Sequence, residues 1–212
     1  MKLYSNEIVF RGHPDKCADQ ISDALLDAYL KQDENARVAI ETVGGKGKIF
    51  LTGEVTSKAK VDVESIVRRV LNDIGYIGDN YEIENNIGAQ SPDIALGTND
   101  EVGGAGDQGM MFGYACNQTK EMLPVAMVIL QKLSMQYDEL RKSDIRFLPD
   151  GKSQITGIYD DNMNLVAIKD FTISYQNVET DREATDAIIR KIATSICDEY
   201  NNGKPIKVVA NL

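Results

Sequence analysis

The stretch from Arg37 to Val55 decides the fold, and it reads RVAIETVGGKGKIFLTGEV. Residues 37–43 and 48–55 are rich in β-branched and other apolar side chains, a composition that is typical of strands. The glycines between the two runs predict a tight turn, because glycine readily adopts the positive φ angles that hairpin turns require. We therefore expect a β-hairpin here.

Helical patterns lie on both sides of this hairpin. Residues 14–32 begin with Pro14, which suits the first helical position because its fixed φ angle matches a helix. Apolar residues then follow at helical spacing: Ala18, Ile21, Leu25 and Ala28. After the hairpin, a second predicted helix carries one apolar face, made of Val63, Ile66, Val67, Val70 and Ile74.

The same order of elements returns about a hundred residues later. The pattern predicts a helix from Pro124, strands at 152–159 and 164–175 around a turn at 160–162, a helix at 181–200 and a short strand at 206–209. Thr180 and Glu183 have the spacing of a capping box for the last helix. We therefore predict an α+β fold with two similar β-α-β-β-α-β repeats, residues 1–103 and 104–212. Helices are expected to cover one face of each mixed sheet.

The segment between the repeats, residues 89–109, is rich in glycine and polar residues and has too few apolar ones for a core element. We expect a long loop there, centred on residues 90–100 and ending in a glycine turn. Long loops in compact domains are often lids or binding loops, and a plain connector is the alternative.

Composition excludes several classes of protein. The 33 acidic residues outnumber the 23 basic ones and give a net charge of -10, so neither DNA nor RNA is an expected partner. A polyphosphate ligand would need accompanying metal cations. No apolar run approaches the length of about 20 residues that a membrane helix needs, and the N-terminus turns polar too early for a secretion signal. We predict a cytoplasmic protein whose cysteines, Cys17, Cys116 and Cys197, are buried reduced thiols.

The most informative motif is Gly12-His13-Pro14-Asp15-Lys16, which contains the only histidine of the chain. It stands where a predicted strand hands over to a helix N-terminus, and the exposed N–H groups and helix dipole at such a place favour anions such as phosphate. His13 and Lys16 can add hydrogen-bond donors, and Asp15 can hold a hard cation. The alternative is a plain helix start with proline and an acidic residue in the first turn.

Residues 104–109, Gly-Ala-Gly-Asp-Gln-Gly, match the pattern GxGxxG. A dinucleotide-binding fingerprint must follow a strand and open a helix. Here a loop precedes the motif, and residues 110–115 after it have the composition of a strand, so a Rossmann fold is rejected. Two interpretations remain, a tight turn that lets Asp107 face a ligand and a simple bend.

Three further positions carry carboxylates in suggestive places. Glu41 and Glu54 lie in otherwise apolar strands, where a buried carboxylate is costly unless it is paired or bound to a cation. Each can instead point to solvent from a half-exposed sheet. Asp150-Gly151-Lys152 is predicted to be a turn that enters a strand.

These stretches together resemble one family, the S-adenosylmethionine synthetases (methionine adenosyltransferases). Gly12–Lys16, followed by ADQISDA at residues 18–24, is similar to the first signature of the family, and GAGDQGMMFGYA at 104–115 is similar to the second. QSPDI at 90–94 resembles the start of the active-site loop, and DGKSQIT at 150–156 resembles an ATP-contacting segment. The four matches occur in the family's order across nearly the whole chain.

The resemblance implies an activity and a set of residue roles. The family joins ATP and methionine to form S-adenosylmethionine and releases pyrophosphate and phosphate. The implied roles are as follows: His13 and Lys152 catalytic; His13, Asp150, Gly151 and Lys152 ATP-binding; Glu54, Gln90 and Asp107 methionine-binding; Asp15 for Mg²⁺ and Glu41 for K⁺. Residues 90–100 would form the lid.

The chain also departs from the family pattern. The family usually has three similar domains, and the resemblance covers about two of them. Arg11 stands where the family commonly has glutamate. We expect a second protein chain to supply the missing third domain in a hetero-oligomer, either a dimer or a dimer of dimers. A non-catalytic regulatory paralogue that pairs with a full-length synthetase, and a piece of a longer enzyme, are the alternatives.

Overall fold

The computed structural model describes residues 1–89, 110–178, 181–201 and 204–210. Its elements follow one another along the chain: β1 (Lys2–Val9), α1 (Pro14–Leu30), β2 (Arg37–Gly45), β3 (Lys48–Thr56), α2 (Val63–Ile74), a single 3-10 turn (Gly78–Asn80), β4 (Glu82–Ala89), α3 (Val125–Ser143), β5 (Phe147–Tyr159), β6 (Leu165–Asn177), α4 (Arg182–Asp198) and β7 (Lys207–Ala210). They divide into two compact units, Pro14–Gly113 and Met1–His13 with Tyr114–Leu212. We call these the first-repeat unit and the second-repeat unit.

The first-repeat unit is built on the predicted hairpin. Its sheet has the order β2-β3-β4, with β2 and β3 antiparallel and β4 parallel to β3. Lys46 and Gly47 form the turn with positive φ angles of 50° and 77°, the combination that matches the twist of a two-residue hairpin. Ile49 and Leu51 of β3 are buried among apolar residues of α1 and α2, which cover one face of the sheet.

The second-repeat unit has the sheet order β1-β5-β6-β7. Strands β5 and β6 form an antiparallel hairpin, and β7 returns parallel to β6 after α4. The core lies between this sheet and the helices α3 and α4. Both units therefore share the order helix, hairpin, helix, parallel strand, which confirms the predicted α+β pseudo-repeat with helices on one face of each sheet.

Strand β1 precedes α1 in the chain but lies in the sheet of the second-repeat unit. It pairs antiparallel with β5, from Lys2 opposite Tyr159 to Val9 opposite Lys152. An edge strand needs hydrogen-bond partners for its N–H and C=O groups, and β5 supplies them over the full length of β1. The predicted domain boundary at 103/104 lies outside the described residues, so the division 1–103 and 104–212 stays a prediction.

Three local predictions are wrong. Asp150-Gly151-Lys152 is not a turn but part of β5, which begins at Phe147, because the pairing with β1 and β6 extends the strand past the apolar run. Residues 110–115 form no strand: among the described residues no strand pairs with them, and the Phe112 side chain is 88% exposed. Asp181, one residue after Thr180, is the N-cap of α4 and accepts a hydrogen bond from the Ala184 N–H. Thr180 itself lies outside the described residues.

Two further predictions concern the burial of the cysteines and the absence of membrane helices. Cys17 and Cys197 form no disulfide and are buried as predicted, whereas Cys116 is only half-buried. Within the described ranges, no helix combines the length and the apolar character that crossing a membrane requires.

Candidate active site

The turn after β1 is held against the start of β5 by main-chain hydrogen bonds. The Phe10 N–H donates to the Gly151 carbonyl at 2.8 Å, and the Gly12 N–H donates to the Pro149 carbonyl at 3.2 Å. A third bond, from the His13 N–H to the Phe10 carbonyl at 3.0 Å, closes the turn on itself. Two segments that are more than 130 residues apart in sequence are thereby brought together within one unit.

Two glycines make this close approach possible. A Cβ atom on Gly12 would lie 2.3 Å from the Pro149 Cβ and 2.5 Å from the Pro149 carbonyl oxygen. A Cβ atom on Gly151 would lie 2.5 Å from the Phe10 ring and 2.9 Å from the Ser174 carbonyl oxygen. All four distances are shorter than a normal van der Waals contact, so only glycine allows the turn and the strand to touch here.

Lys152 lies next to this contact, on the face of the sheet that the helices leave uncovered. Its side chain is 49% exposed, and its Nζ lies 3.5 Å from the Glu7 carboxylate on β1. Asp150 precedes it by two positions in the same strand, and side chains two apart in a strand point to the same face. The four residues predicted to bind ATP, His13, Asp150, Gly151 and Lys152, thus belong to adjoining main-chain segments of the second-repeat unit.

Asp15 and Lys16 lie in the first turn of α1, in the first-repeat unit. Asp15 is exposed, and an acidic residue in this position is favoured by the helix dipole. The Lys16 ammonium forms an ion pair with Asp19 at 3.0 Å, one turn further along the same helix.

Glu41 and Glu54 both lie on the helix-free face of the sheet in the first-repeat unit. Glu41 is exposed and stands opposite Thr52, whose hydroxyl oxygen accepts a hydrogen bond from the Asn86 amide at 3.4 Å. Glu54 is half-buried and stands between the small residues Ala39 and Gly88 on the neighbouring strands. Neither carboxylate is buried in the core, and whether either binds a cation or a ligand stays a prediction.

No group of three or more histidine, cysteine, aspartate or glutamate side chains gathers in the part of the chain that the structure describes. The donor chemistry nevertheless fits the two predicted cations. Magnesium is usually bound by one or two carboxylates together with substrate phosphates and water, which a single exposed carboxylate such as Asp15 can serve. For K⁺, the Glu41 carboxylate and the Thr52 hydroxyl on the adjacent strand offer oxygen ligands on one face.

Other parts of the predicted site remain untested. Gln90, Asp107 and the predicted lid at 90–100 lie outside the described residues. Conversely, the structure places two carboxylates near the site that the sequence did not single out: Glu7 beside Lys152, and Asp138 on α3 beside Arg11. Glu7 lies between Asn6 and Ile8 in β1, and only the pairing with β5 shows which side chain it meets.

Two family models and several curated proteins match the sequence of this chain. The model of the S-adenosylmethionine synthetase N-terminal domain matches residues 1–92, and the model of the central domain of the same enzymes matches residues 102–211. Three similar curated proteins are each named S-adenosylmethionine synthase. That of Pseudothermotoga lettingae is 42% identical over 99% of this chain and 59% of its own length.

The other two relatives give the same picture. The protein of Clostridium tetani is 40% identical over 95% of this chain and 58% of its own length. That of Cytophaga hutchinsonii is 46% identical over 85% of this chain and 46% of its own length. The chain thus spans less than two thirds of the length of each relative. Together, the two adjacent domain matches show that the chain belongs to the S-adenosylmethionine synthetase family.

Proposed function

We propose that this chain carries the phosphate-binding and methionine-binding parts of a methionine adenosyltransferase site, which forms S-adenosylmethionine from ATP and L-methionine. The observation that supports it most is the contact between the Gly12-His13 turn and the Asp150–Lys152 segment of β5. This contact brings the main chain next to His13 close to the main chain next to Lys152, which supports a common role for the two residues in holding an anionic ligand.

The proposed reaction needs little general acid–base catalysis from the protein. The methionine sulfur attacks C5′ of the ribose, a C–S bond forms, the C5′–O bond breaks, and the bonding electron pair leaves with the triphosphate. Sulfur is already a good nucleophile, so the main burden is to stabilise the negative charge on the leaving group. His13 and Lys152 supply hydrogen-bond donors and positive charge for that purpose, and Asp150 contacts the ribose.

Cations complete the charge balance of a chain whose net charge is -10. Mg²⁺ at Asp15 and K⁺ at Glu41 would, when bound, offset the phosphate charge. Glu54, Gln90 and Asp107 are proposed to bind methionine. The half-buried Glu54 stands between two small residues, which leaves room on that sheet face for a ligand ammonium group.

We also propose that a second protein chain completes the site. The curated relatives extend well beyond the matched region, and each of them carries the printed name S-adenosylmethionine synthase as a whole. The proposed complex is a hetero-oligomer, a dimer or a dimer of dimers, in which the partner provides the third domain. The predicted cytoplasmic location belongs to this proposal.

The test measures S-adenosylmethionine formed from ATP and methionine with Mg²⁺ and K⁺, by the chain alone and with its candidate partner. His13→Ala and Lys152→Ala should lower turnover of the active assembly by a factor of about 100 or more, the size expected for removing one charge-stabilising donor. Lys169→Ala is the matched control, because Lys169 is an exposed lysine of β6 that pairs only loosely with Asp170 at 4.0 Å.

Each outcome decides one element of the proposal. Full turnover by the chain alone would remove the need for a partner. Turnover of the two variants equal to that of the Lys169→Ala control would refute the roles of His13 and Lys152. An assembly that binds ATP and methionine but forms no product would instead favour the regulatory paralogue.

A further inference from the structure

Helix α3 contacts the turn that presents His13 through two consecutive residues, Tyr137 and Asp138. The Phe10 ring packs on the Tyr137 ring with a centroid distance of 4.8 Å. The Tyr137 hydroxyl in turn donates to the Leu148 carbonyl at 2.6 Å, at the start of β5. One side chain of α3 therefore touches both of the segments that form the candidate phosphate site.

The second contact is an ion pair. The Arg11 Nη1 lies 3.9 Å from the Asp138 Oδ2. The Asp138 side chain is only 19% exposed, and its carboxylate also binds the Arg141 guanidinium at 2.5 Å and the Lys142 ammonium at 3.0 Å. Asp138 is thus a fixed, partly buried anion on a long helix, and Arg11 reaches it from the residue just before Gly12.

The Asp138 carboxylate keeps its negative charge at neutral pH. Burial raises the pKa of Asp138, but hydrogen bonds from Lys142 and Arg141 outweigh that effect and leave the pKa below its ordinary value. Asp138 therefore stays ionised at neutral pH. Arg11 shares this carboxylate with Arg141 and Lys142, and its contact, at 3.9 Å, is the longest of the three.

We propose that Arg11 is a positioning residue, whose ion pair with Asp138 fixes the Gly12-His13 turn to helix α3. Main-chain bonds at Phe10 and Gly12 hold the turn to β5, and the Arg11 side chain between them adds an attachment to a second element. The two attachments together set the position of the His13 imidazole. The expected consequence for phosphate binding rests on the proposed function.

His13 is the only histidine of the chain, so its imidazole gives a single set of NMR signals that needs no activity. The test records the chemical shifts of that imidazole in the full chain at one fixed pH, and the affinity for tripolyphosphate with Mg²⁺ by calorimetry. The variants form a graded series at one position: Arg11→Lys keeps the charge, Arg11→Met removes it, and Arg11→Glu reverses it. Glu139→Gln is the control, since Glu139 is the next residue of α3 and the ion pair of its carboxylate in the described structure is with Lys142.

The effect on both readouts should increase from Arg11→Lys through Arg11→Met to Arg11→Glu. Arg11→Met should move the His13 shift toward that of free histidine and weaken tripolyphosphate binding by about two- to fivefold, the range for a partly exposed ion pair. Arg11→Lys should restore most of both readouts, and Glu139→Gln should leave both unchanged. Thermal unfolding of each variant separates a shifted turn from a lost fold, because Arg11→Met leaves Arg141 and Lys142 in place around Asp138.

Asp138→Asn separates positioning from direct phosphate contact. If Arg11 positions the turn, this variant should change the His13 signals and the affinity in the same direction as Arg11→Met. An affinity that stays equal or increases in Asp138→Asn, while it falls in Arg11→Met, would show that Arg11 binds phosphate itself and would overturn the proposal. Unchanged His13 signals in Arg11→Met would overturn it as well. A wild-type chain that binds no tripolyphosphate would count against the proposed function, while the NMR readout would still decide the role of Arg11.

Discussion

Replacing Gly12 with alanine should destabilise the second-repeat unit and displace the His13 turn. The added Cβ atom would lie 2.3 Å from the Pro149 Cβ, so the turn and β5 must separate by about 1 Å to reach normal contact. Overpacking of this kind costs about 1–3 kcal/mol. The separation also weakens the hydrogen bond from the Gly12 N–H to the Pro149 carbonyl, a loss of about 0.5–1.5 kcal/mol. We therefore expect the free energy of unfolding to fall by about 1.5–4.5 kcal/mol.

Urea unfolding followed by tyrosine fluorescence and circular dichroism measures this loss, since the chain has nine tyrosines and no tryptophan. Gly45→Ala is the matched control, because a Cβ atom there meets no atom within 4 Å. The same preparation should lose tripolyphosphate affinity in Gly12→Ala only. A Gly12→Ala protein that unfolds within about 0.5 kcal/mol of the wild type would refute the close approach on which the site geometry depends.

Three further predictions concern the second-repeat unit. Asp181→Ala should cost about 0.5–2 kcal/mol and speed hydrogen exchange in the first turn of α4, because the N-cap acceptor for the Ala184 N–H is lost; unchanged exchange there would contradict the cap. Burial and the hydrogen bond to Asp186 raise the pKa of Tyr175 to about 12. Because the tyrosine of the unfolded state loses its proton at lower pH, the free energy of unfolding should fall as pH rises from about 10 to 12, and Tyr175→Phe should flatten that decline. Burial raises the pKa of the Cys197 thiol to about 12, so a thiol reagent at pH 8 should modify Cys197 only after unfolding. Equal rates of modification for Cys197 and the half-buried Cys116 would disprove this.

The local elements could be predicted because their signals lie within a few residues of one another. The hairpin strands, the helix beginning at Pro14 and the helix after Pro124 all appear where periodicity and turn chemistry place them. The repeat could be predicted for the same reason, since both units show the same succession of local patterns. The cap of α4 was misplaced by one residue because Thr180 and Asp181 are both good N-cap residues, and only the observed hydrogen bond distinguishes them.

No local sequence pattern predicted the long-range contacts of the candidate site. Nothing in the sequence of β1 shows that it pairs with β5 and not with the hairpin of its own repeat, because alternation of side chains is compatible with either sheet. The extension of β5 back to Phe147 follows from that pairing, so Asp150-Gly151-Lys152 looked like a turn when only local composition was considered. For the same reason the partners of Lys152 and Arg11, which are separated from them by more than 120 residues, could not be named.

The placement of β1 ties the candidate phosphate site to the sheet of the second-repeat unit. His13 ends the segment that leaves this sheet, and Pro14 begins the first helix of the first-repeat unit. The turn before His13 is held to β5 by main-chain hydrogen bonds and to α3 by the contacts of Phe10 and Arg11. The pairing of β1 with β5 therefore controls where the proposed phosphate donors stand, whereas the described core of the first repeat is built from residues 17–87. We infer that substitutions which loosen β1 from β5 will affect ligand binding before they affect the core of the first repeat.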